Sequence, residues 1–278
     1  MLSALSIGRT RHLLFALLLA PSLASTSGSA QELGAKEIIQ RSVEVNRRDW
    51  DLAPGYDYSQ RERDGEKTKT NEEIMLAGSR YERLVAVDDK PLSREAEAKE
   101  RRRFDRAVAE RQQESPSERE HRVGQYKREI DRDHALMGEL TKALDFSLSG
   151  KEILGRHEVY VLKGTPRAGY IPPNRYAKAL TGMQGTLWID AANFHWVKAE
   201  ADVVRPVWIE GFIARIEPGT HFELEQTPIA TGVWVPSHFV VEAKAKVLLL
   251  FPHYEQDDIT YFSYHKLGIT PAETDDVK

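Results

Sequence analysis

The sequence predicts a mainly β protein with helices (α+β). It is a large curved antiparallel sheet forming an incomplete barrel, its concave face covered by helices, with a long charged helical insertion. Three observations predict it. Short stretches of strict period-two alternation recur along most of the chain, for example Val197-Lys198-Ala199-Glu200-Ala201-Asp202-Val203. Only a few segments show helical spacing instead. Each strand sorts into one wet and one apolar face, and apolar-striped helices need such a face to rest on.

The first thirty residues read as an export signal rather than as part of the fold. Arg9, Arg11 and His12 form a basic start, Leu13–Ala20 is an apolar run stopped by Pro21, and Gly28-Ser29-Ala30 offers the small residues a signal peptidase selects. The apolar run is too short for roughly 30 Å of hydrocarbon, which takes about 20 residues. Cleavage is expected after Ala30, leaving a periplasmic chain from Gln31.

Residues 35–50 follow with helical spacing of Ile38, Ile39, Ser42, Val43 and Asn46, ended by Pro54-Gly55. Residues 56–88 switch to period two. Asp64-Gly65 supplies the positive φ of a hairpin, and Gly78-Ser79-Arg80 a second turn, giving a three-stranded meander. From Lys90 to Asp133 more than half the positions are charged, with mixed signs that suit solvated helix faces. Ser115-Pro116-Ser117-Glu118 reads as a capping box with proline at the first helical position. The first half carries a thin stripe of Ala96, Phe104, Ala107 and Val108. The second carries Val123, Tyr126, Ile130, His134, Met137, Leu140 and Leu144 on one face.

After a hairpin at Ile153–His157 comes a proline- and glycine-rich loop over 164–184. Strands are then expected at 186–190, 196–204, 208–216, 220–226, 233–242, 244–251 and 259–265. The whole is expected to be one domain over 31–268, with a helical insertion at about 90–145 and a polar tail at 269–278. Ala199, Ala201, Phe222, Leu224, Val241 and Ala243 should share the helix-covered face.

Composition limits the function. With 39 basic and 43 acidic residues the formal charge is −4, and it is two units more negative without Arg9 and Arg11, which argues against nucleic acid. The absence of cysteine excludes disulfides, thiol nucleophiles and iron–sulfur clusters. The nine histidines form no HExxH pattern. There is no G-x-S-x-G elbow, and Gly182-Met183-Gln184-Gly185 lacks the Lys and Ser/Thr of a phosphate cradle. Asp257-Asp258 beside His253 and Glu255 offers either a cation site or, the favoured reading, a solvated turn. No catalytic residue, cofactor or metal is expected, and the chain is read as a non-enzyme.

What remains is an apolar surface. Burial is worth about 0.8 kcal/mol per CH₂, so a cavity between the long helix and the sheet holds an acyl chain without any polar motif. The candidate lining is Tyr126, Ile130, Met137 and Leu140 from the helix, with Ala201, Phe212, Phe222, Leu224, Phe239, Val241, Ala243, Val247 and Leu249 from the strands. The same residues filling a packed core is the competing reading.

The order of elements, together with ILGRHEVYVLKGTPRAGY, GTHFELEQTPIATGVWVPSHFVV and above all G-x-L-W-I-D followed by W-x-K-A-E at 185–200, resembles the outer-membrane lipoprotein-sorting proteins of the LolA/LolB-like fold. The resemblance implies an incomplete barrel lidded by helices and a monomeric periplasmic carrier of acyl chains of lipoproteins or lipids, working with inner- or outer-membrane partner proteins. It equally implies, as the alternative, an envelope sensor or partner-binding module of the MucB/RseB kind. The charged insertion is longer than a carrier's lid. Arg61, Arg63 and Arg83 are the positions for the strand arginine that governs release in the carriers, with none singled out.

Overall fold

Alternation dominates the architecture. In the computed structural model the described residues are 33–174, 176–209, 214–247 and 251–267, and the following refers to them. The chain opens with helix α1 (Ala35–Leu52) and a 3-10 turn (Ala53–Gly55), then strands β1 (Tyr56–Asp64), β2 (Lys67–Leu76), β3 (Ser79–Val87) and the two-residue β4 (Lys90–Pro91). Helices α2 (Arg94–Gln113) and α3 (Pro116–Ala143) follow. Then come β5 (Leu144–Leu154), β6 (His157–Pro166), a 3-10 turn (Ala177–Gly182), β7 (Met183–Asp190), β8 (Trp196–Val203), β9 (Val207–Ile209), β10 (Ala214–Ile216), β11 (His221–Ala230), β12 (Val233–Val247) and β13 (Phe251–Lys266).

All strands form one antiparallel sheet in the order β4-β3-β2-β1-β13-β12-β11-β8-β7-β6-β5, with β10 pairing off β12 and β9 off β10. The sheet is not closed into a barrel: β1 joins the last strand, while β4 and β5 are left as edges. Register lines up two apolar rows on one face. One runs Phe146, Gly164, Gly185, Ala201, Phe222, Val241 across β5, β6, β7, β8, β11 and β12. The other runs Leu148, Leu162, Leu187, Ala199, Leu224, Phe239 and on to Ile259 of β13. The opposite face is charged, with Lys198 Nζ 2.8 Å from Glu200 and 3.1 Å from Glu223.

The fully buried core occupies only part of this face. Ile38 and Ile39 of α1 pack on Tyr160, Leu162, Leu187, Ile189 and Trp196, and a smaller cluster joins Ala143, Leu144 and Leu180. Each fully buried side chain such as Ile38, Leu162 or Ile189 contributes about 1.5–3 kcal/mol. A polar line on α1 tightens the seat. Ser42 Oγ accepts the indole N–H of Trp196 at 2.7 Å, and Asn46 donates to the Ser42 carbonyl at 2.9 Å.

The helical hairpin starts as the sequence indicates. Ser115 caps the Glu118 N–H, Glu118 returns to the Ser115 N–H at 2.8 Å, and Pro116 opens α3. Two arginines clamp the hairpin on the β2–β3 turn. Arg111 donates to the carbonyls of Leu76, Ser79 and Arg80. Arg122 donates to Ser79 Oγ and to Glu114, both at 2.6 Å. Phe104 alone of the α2 stripe meets an aromatic ring, edge-on against Tyr81 at 5.4 Å.

The strand boundaries require four corrections. The expected single strand at 208–216 is two short antiparallel strands, with Ala214 opposite Ile209. The expected strands at 233–242 and 244–251 begin as one, β12, because the alternation Phe239, Val241, Ala243, Ala245, Val247 never breaks and no turn residue interrupts it. Residues 254–258 are strand, not turn: the carboxylate of Asp258 meets His238 Nε2 at 2.8 Å and Arg63 at 4.0 Å, and these neighbours satisfy it within the sheet. Leu144 begins β5 rather than ending the helix.

Candidate functional site

The two apolar rows make the site. Small residues at Gly164, Gly185 and Ala201 sit side by side on β6, β7 and β8, so no side chain rises from the floor there. Gly185 cannot be otherwise: a Cβ at that position would collide with the Glu200 carbonyl oxygen and stand 3.2 Å from Ala201 Cα. Above this floor lies an apolar hollow of about 120 Å³, walled by Leu140, Leu144, Phe146, Leu180, Met183 and Leu187. An apolar cavity of roughly this size stays dry and takes a small apolar guest. It is well below the roughly 300–1,000 Å³ of a whole-ligand pocket, so it fits the end of a chain.

From the hollow the floor continues outward through Phe222, Leu224, Phe239, Val241 and Ile259. All five are half-buried; none is fully buried, and Leu224 alone of them packs against the main core cluster. An apolar strip left partly in water is the informative kind of exposure, because scattered single apolar residues mean little and a contiguous run marks a binding surface. Ala243, also half-buried, lies one step along β12 from Val241 on the same face.

The expected lining residues are distributed as follows. Leu140 and Ala201 meet at the hollow. Phe222, Leu224, Phe239, Val241 and Ala243 share the open floor. Tyr126 and Ile130 line a separate groove with Trp50, Met75 and Gly78. Phe212 and Leu249 lie outside the described residues, as do the side chains of Met137 and Val247. Sequence reasoning missed Phe146, Leu180, Met183, Leu187 and Ile259, and it placed Leu144 on the helix stripe rather than in the lining. The signal for the hollow was the set of small residues Gly164, Gly185 and Ala201, which becomes a surface only once register places them abreast.

Toward β1 and β2 the same face turns aromatic and acidic. Tyr58 packs on Tyr261 and Tyr264, at 5.9 and 5.3 Å between ring centroids, and the Arg80 guanidinium lies 4.8 Å over Tyr58. Burial pushes the Tyr58 phenol up to about 12 and those of Tyr261 and Tyr264 further. Burial also raises the Glu73 carboxyl above the usual carboxylate range, with Glu82 adding to the effect and Arg80 opposing it. Tyr264 donates to the Pro236 carbonyl at 2.7 Å.

No protein-family model matches the sequence, and no curated protein does. Solved structures similar to the chain include the following. The chain is similar to a LolA superfamily protein. That protein, from Nitrosomonas europaea, is 13% identical with a TM-score of 0.33, over 86% of this chain and 96% of that one. An outer-membrane lipoprotein-sorting protein domain from Vibrio parahaemolyticus is 11% identical (TM-score 0.29, 84% and 95% covered). The MucA/MucB complex of Pseudomonas aeruginosa contributes a chain 11% identical (TM-score 0.21, 80% and 92% covered). At these identities and TM-scores the likeness carries no functional argument, and the architecture of this chain is described from its own strand order.

The chemistry available at the floor is apolar burial. Among the described residues no group of three or more His, Asp or Glu side chains stands where it could hold a metal ion. The His–Asp contacts near the site are pairwise: His157 Nδ1 to Asp190 at 2.7 Å, and His195 Nε2 to Asp49 at 3.1 Å. Both histidines pack on the Trp234 indole, at 5.1 Å each. Among the described residues no helix is long and apolar enough to cross a membrane.

Proposed function

We propose that the protein is a periplasmic carrier that holds an acyl chain of a lipoprotein or lipid, the chain's end in the hollow above Gly185 and Ala201 and its length along the open floor. One observation carries the reading. The rows Ala199–Leu224–Phe239–Ile259 and Ala201–Phe222–Val241 are apolar, contiguous and half-buried, whereas the fully buried side chains of the main cluster come from α1 and β6–β8, against which only Ala199 and Leu224 of these rows rest. A sheet face with no function would be expected either to be covered or to alternate with charge. Affinity then scales with buried CH₂ groups, about 0.8 kcal/mol each, and selection among head groups is weak. Export through a cleaved signal, with a mature start at Gln31, belongs to the same proposal.

Native mass spectrometry of protein purified from the periplasm tests it, paired with uptake of a fluorescent fatty acid. A co-purified lipid mass and saturable uptake are the expected results. A ligand-free protein that takes up no apolar probe would remove the reading. The second reading, a partner-binding module, is favoured by α2, a twenty-residue helix without a buried residue whose charged surface faces solvent. Loss of partner capture on neutralising α2, with no apolar probe bound, would select it.

A further inference from the structure

We propose that the loop 167–174 is a docking tip that seats the protein on an anionic lipid bilayer, Ile171 entering the interfacial layer while Lys178 and Arg205 meet lipid phosphates.

Ile171 is 86% exposed, the most exposed large hydrophobic side chain among the described residues. Its exposure is built rather than frayed. Arg167 N–H donates to the Ala143 carbonyl at 2.8 Å, and the Arg167 guanidinium holds Asp145 at 2.7 Å. Tyr170 turns inward: its ring joins the Ala143–Leu144–Leu180 cluster and its hydroxyl donates to Glu139 at 2.8 Å. On the far side the Asn174 side chain accepts the Tyr176 and Ala177 N–H groups at 3.0 and 2.9 Å. Pro172 and Pro173 stiffen the segment between and hold Ile171 extended. An apolar side chain presented on a fixed loop loses little conformational freedom on insertion.

Charge names the partner. Between Glu158 and Asp190 the sequence carries no acidic residue, yet it carries Lys163, Arg167, Arg175 and Lys178, in a protein with a formal charge of −4; Arg167 is neutralised by Asp145, so the charge offered to a partner is that of Lys178 and Arg205. Arg205 joins this patch across a surface groove shared with Arg167 and Tyr170, and it is held by a neutral acceptor, the Thr181 carbonyl, at 2.9 Å. Basic side chains around one protruding apolar residue match the negative surface potential and interfacial depth of an anionic membrane. Position gives the tip a use. Leu144, Leu180 and Met183, which wall the hollow, belong to or pack against the cluster that anchors Tyr170. Docking there brings the hollow to the bilayer surface. This part rests on the carrier reading; the docking itself does not.

Flotation of the purified protein with vesicles tests it. Vesicles of phosphatidylcholine containing phosphatidylglycerol should carry the wild type, and pure phosphatidylcholine should carry on the order of tenfold less. Ile171→Asp should lower binding to the anionic vesicles by about tenfold or more without changing the melting temperature. Lys178→Glu with Arg205→Glu should abolish the preference for the anionic lipid, and added salt should imitate that pair of changes. Wild type that stays off anionic vesicles, Ile171→Asp that floats like wild type, or a tip that binds a protein but no vesicle would each overturn the proposal. Fatty-acid uptake in vesicle-free buffer reads the carrier hypothesis separately. Flotation without uptake sinks the carrier and leaves the docking, and uptake without flotation does the reverse.

Discussion

Asp49 of α1 and His195 before β8 face each other at 3.1 Å, Oδ2 to Nε2, with both side chains buried and the His195 ring stacked on Trp234. The pair pins the C-terminal half of α1 to the sheet beside the Ser42–Trp196 hydrogen bond. Removing one partner leaves the other buried alone. His195→Phe should therefore cost about 3 kcal/mol, and the double variant His195→Phe with Asp49→Leu should recover most of the loss. Urea melts of the two single and the double variants measure the coupling. Additive losses would mean that the two groups do not act together.

The start of α3 gives a second, smaller effect. Ser115→Ala removes the acceptor for the Glu118 N–H and the partner of its carboxylate, so it should cost about 1 kcal/mol. The change should appear as a lowered melting temperature with the sheet spectrum intact. An unchanged melting temperature would show that the clamps of Arg111 and Arg122, not the cap, hold the hairpin.

These two sites differ in how far they were legible. Ser115-Pro116-Ser117-Glu118 and Asp64-Gly65 act within a few residues of themselves, so the chain spells them out, and Gly65 indeed takes φ 59°. Alternation likewise revealed which of Phe222 and Glu223 share a face with Val241. Asp49 and His195 are 146 residues apart in sequence, and nothing local in either marks the other. The same holds for Gly164, Gly185 and Ala201, whose alignment depends on register across three strands. The break between Ile209 and Ala214, and the continuity through Ala243 and Lys244, were misjudged for one reason. Alternation reports faces, whereas strand ends depend on pairing partners.

Glu73 predicts a pH dependence. Burial raises its folded pKa, so over the window between the unfolded and the folded value the native state holds the proton and the unfolded chain releases it. Stability is then present at acid pH and falls as pH rises through that window. Glu73→Gln, which keeps the shape without the charge, should melt higher than wild type at pH 7 and equal to it well below the ordinary glutamate range. Equal melting at both pH values would show that Arg80 offsets the burial.

Two glycines in the hollow should answer differently to alanine. At Gly185 the added methyl meets backbone, the Glu200 carbonyl and Ala201 Cα, which cannot step aside, so Gly185→Ala should destabilise by about 1–3 kcal/mol or more. At Gly164 it meets the Phe146 ring at 2.9 Å, a side chain rather than backbone. Gly164→Ala should keep the fold and shrink the hollow, lowering uptake of an apolar probe. The reverse order of stabilities would mean that the β7–β8 pairing is looser than its register.

The length of the bound chain can be read from two tryptophans. Ala201 sits at the hollow and Ala243 farther out on β12, beyond Val241. A ligand that threads its end into the hollow and lies along the floor meets Ala201 whatever its length, and meets Ala243 only if it is long. Ala201→Trp should therefore abolish uptake of short and long fatty acids alike. Ala243→Trp should spare short chains and weaken long ones, each excluded CH₂ costing about 0.8 kcal/mol. Stability separates this from plain overpacking. Both alanines are only half-buried, so each variant should melt within about 1 kcal/mol of wild type, whereas a closed core would lose about 1–3 kcal/mol. Melting and uptake on the same samples decide between them. If both variants unfold while wild type takes up no probe, the floor is core and the carrier reading fails. If Ala243→Trp blocks short and long chains equally, the ligand enters from the β12 end and the hollow is not its terminus.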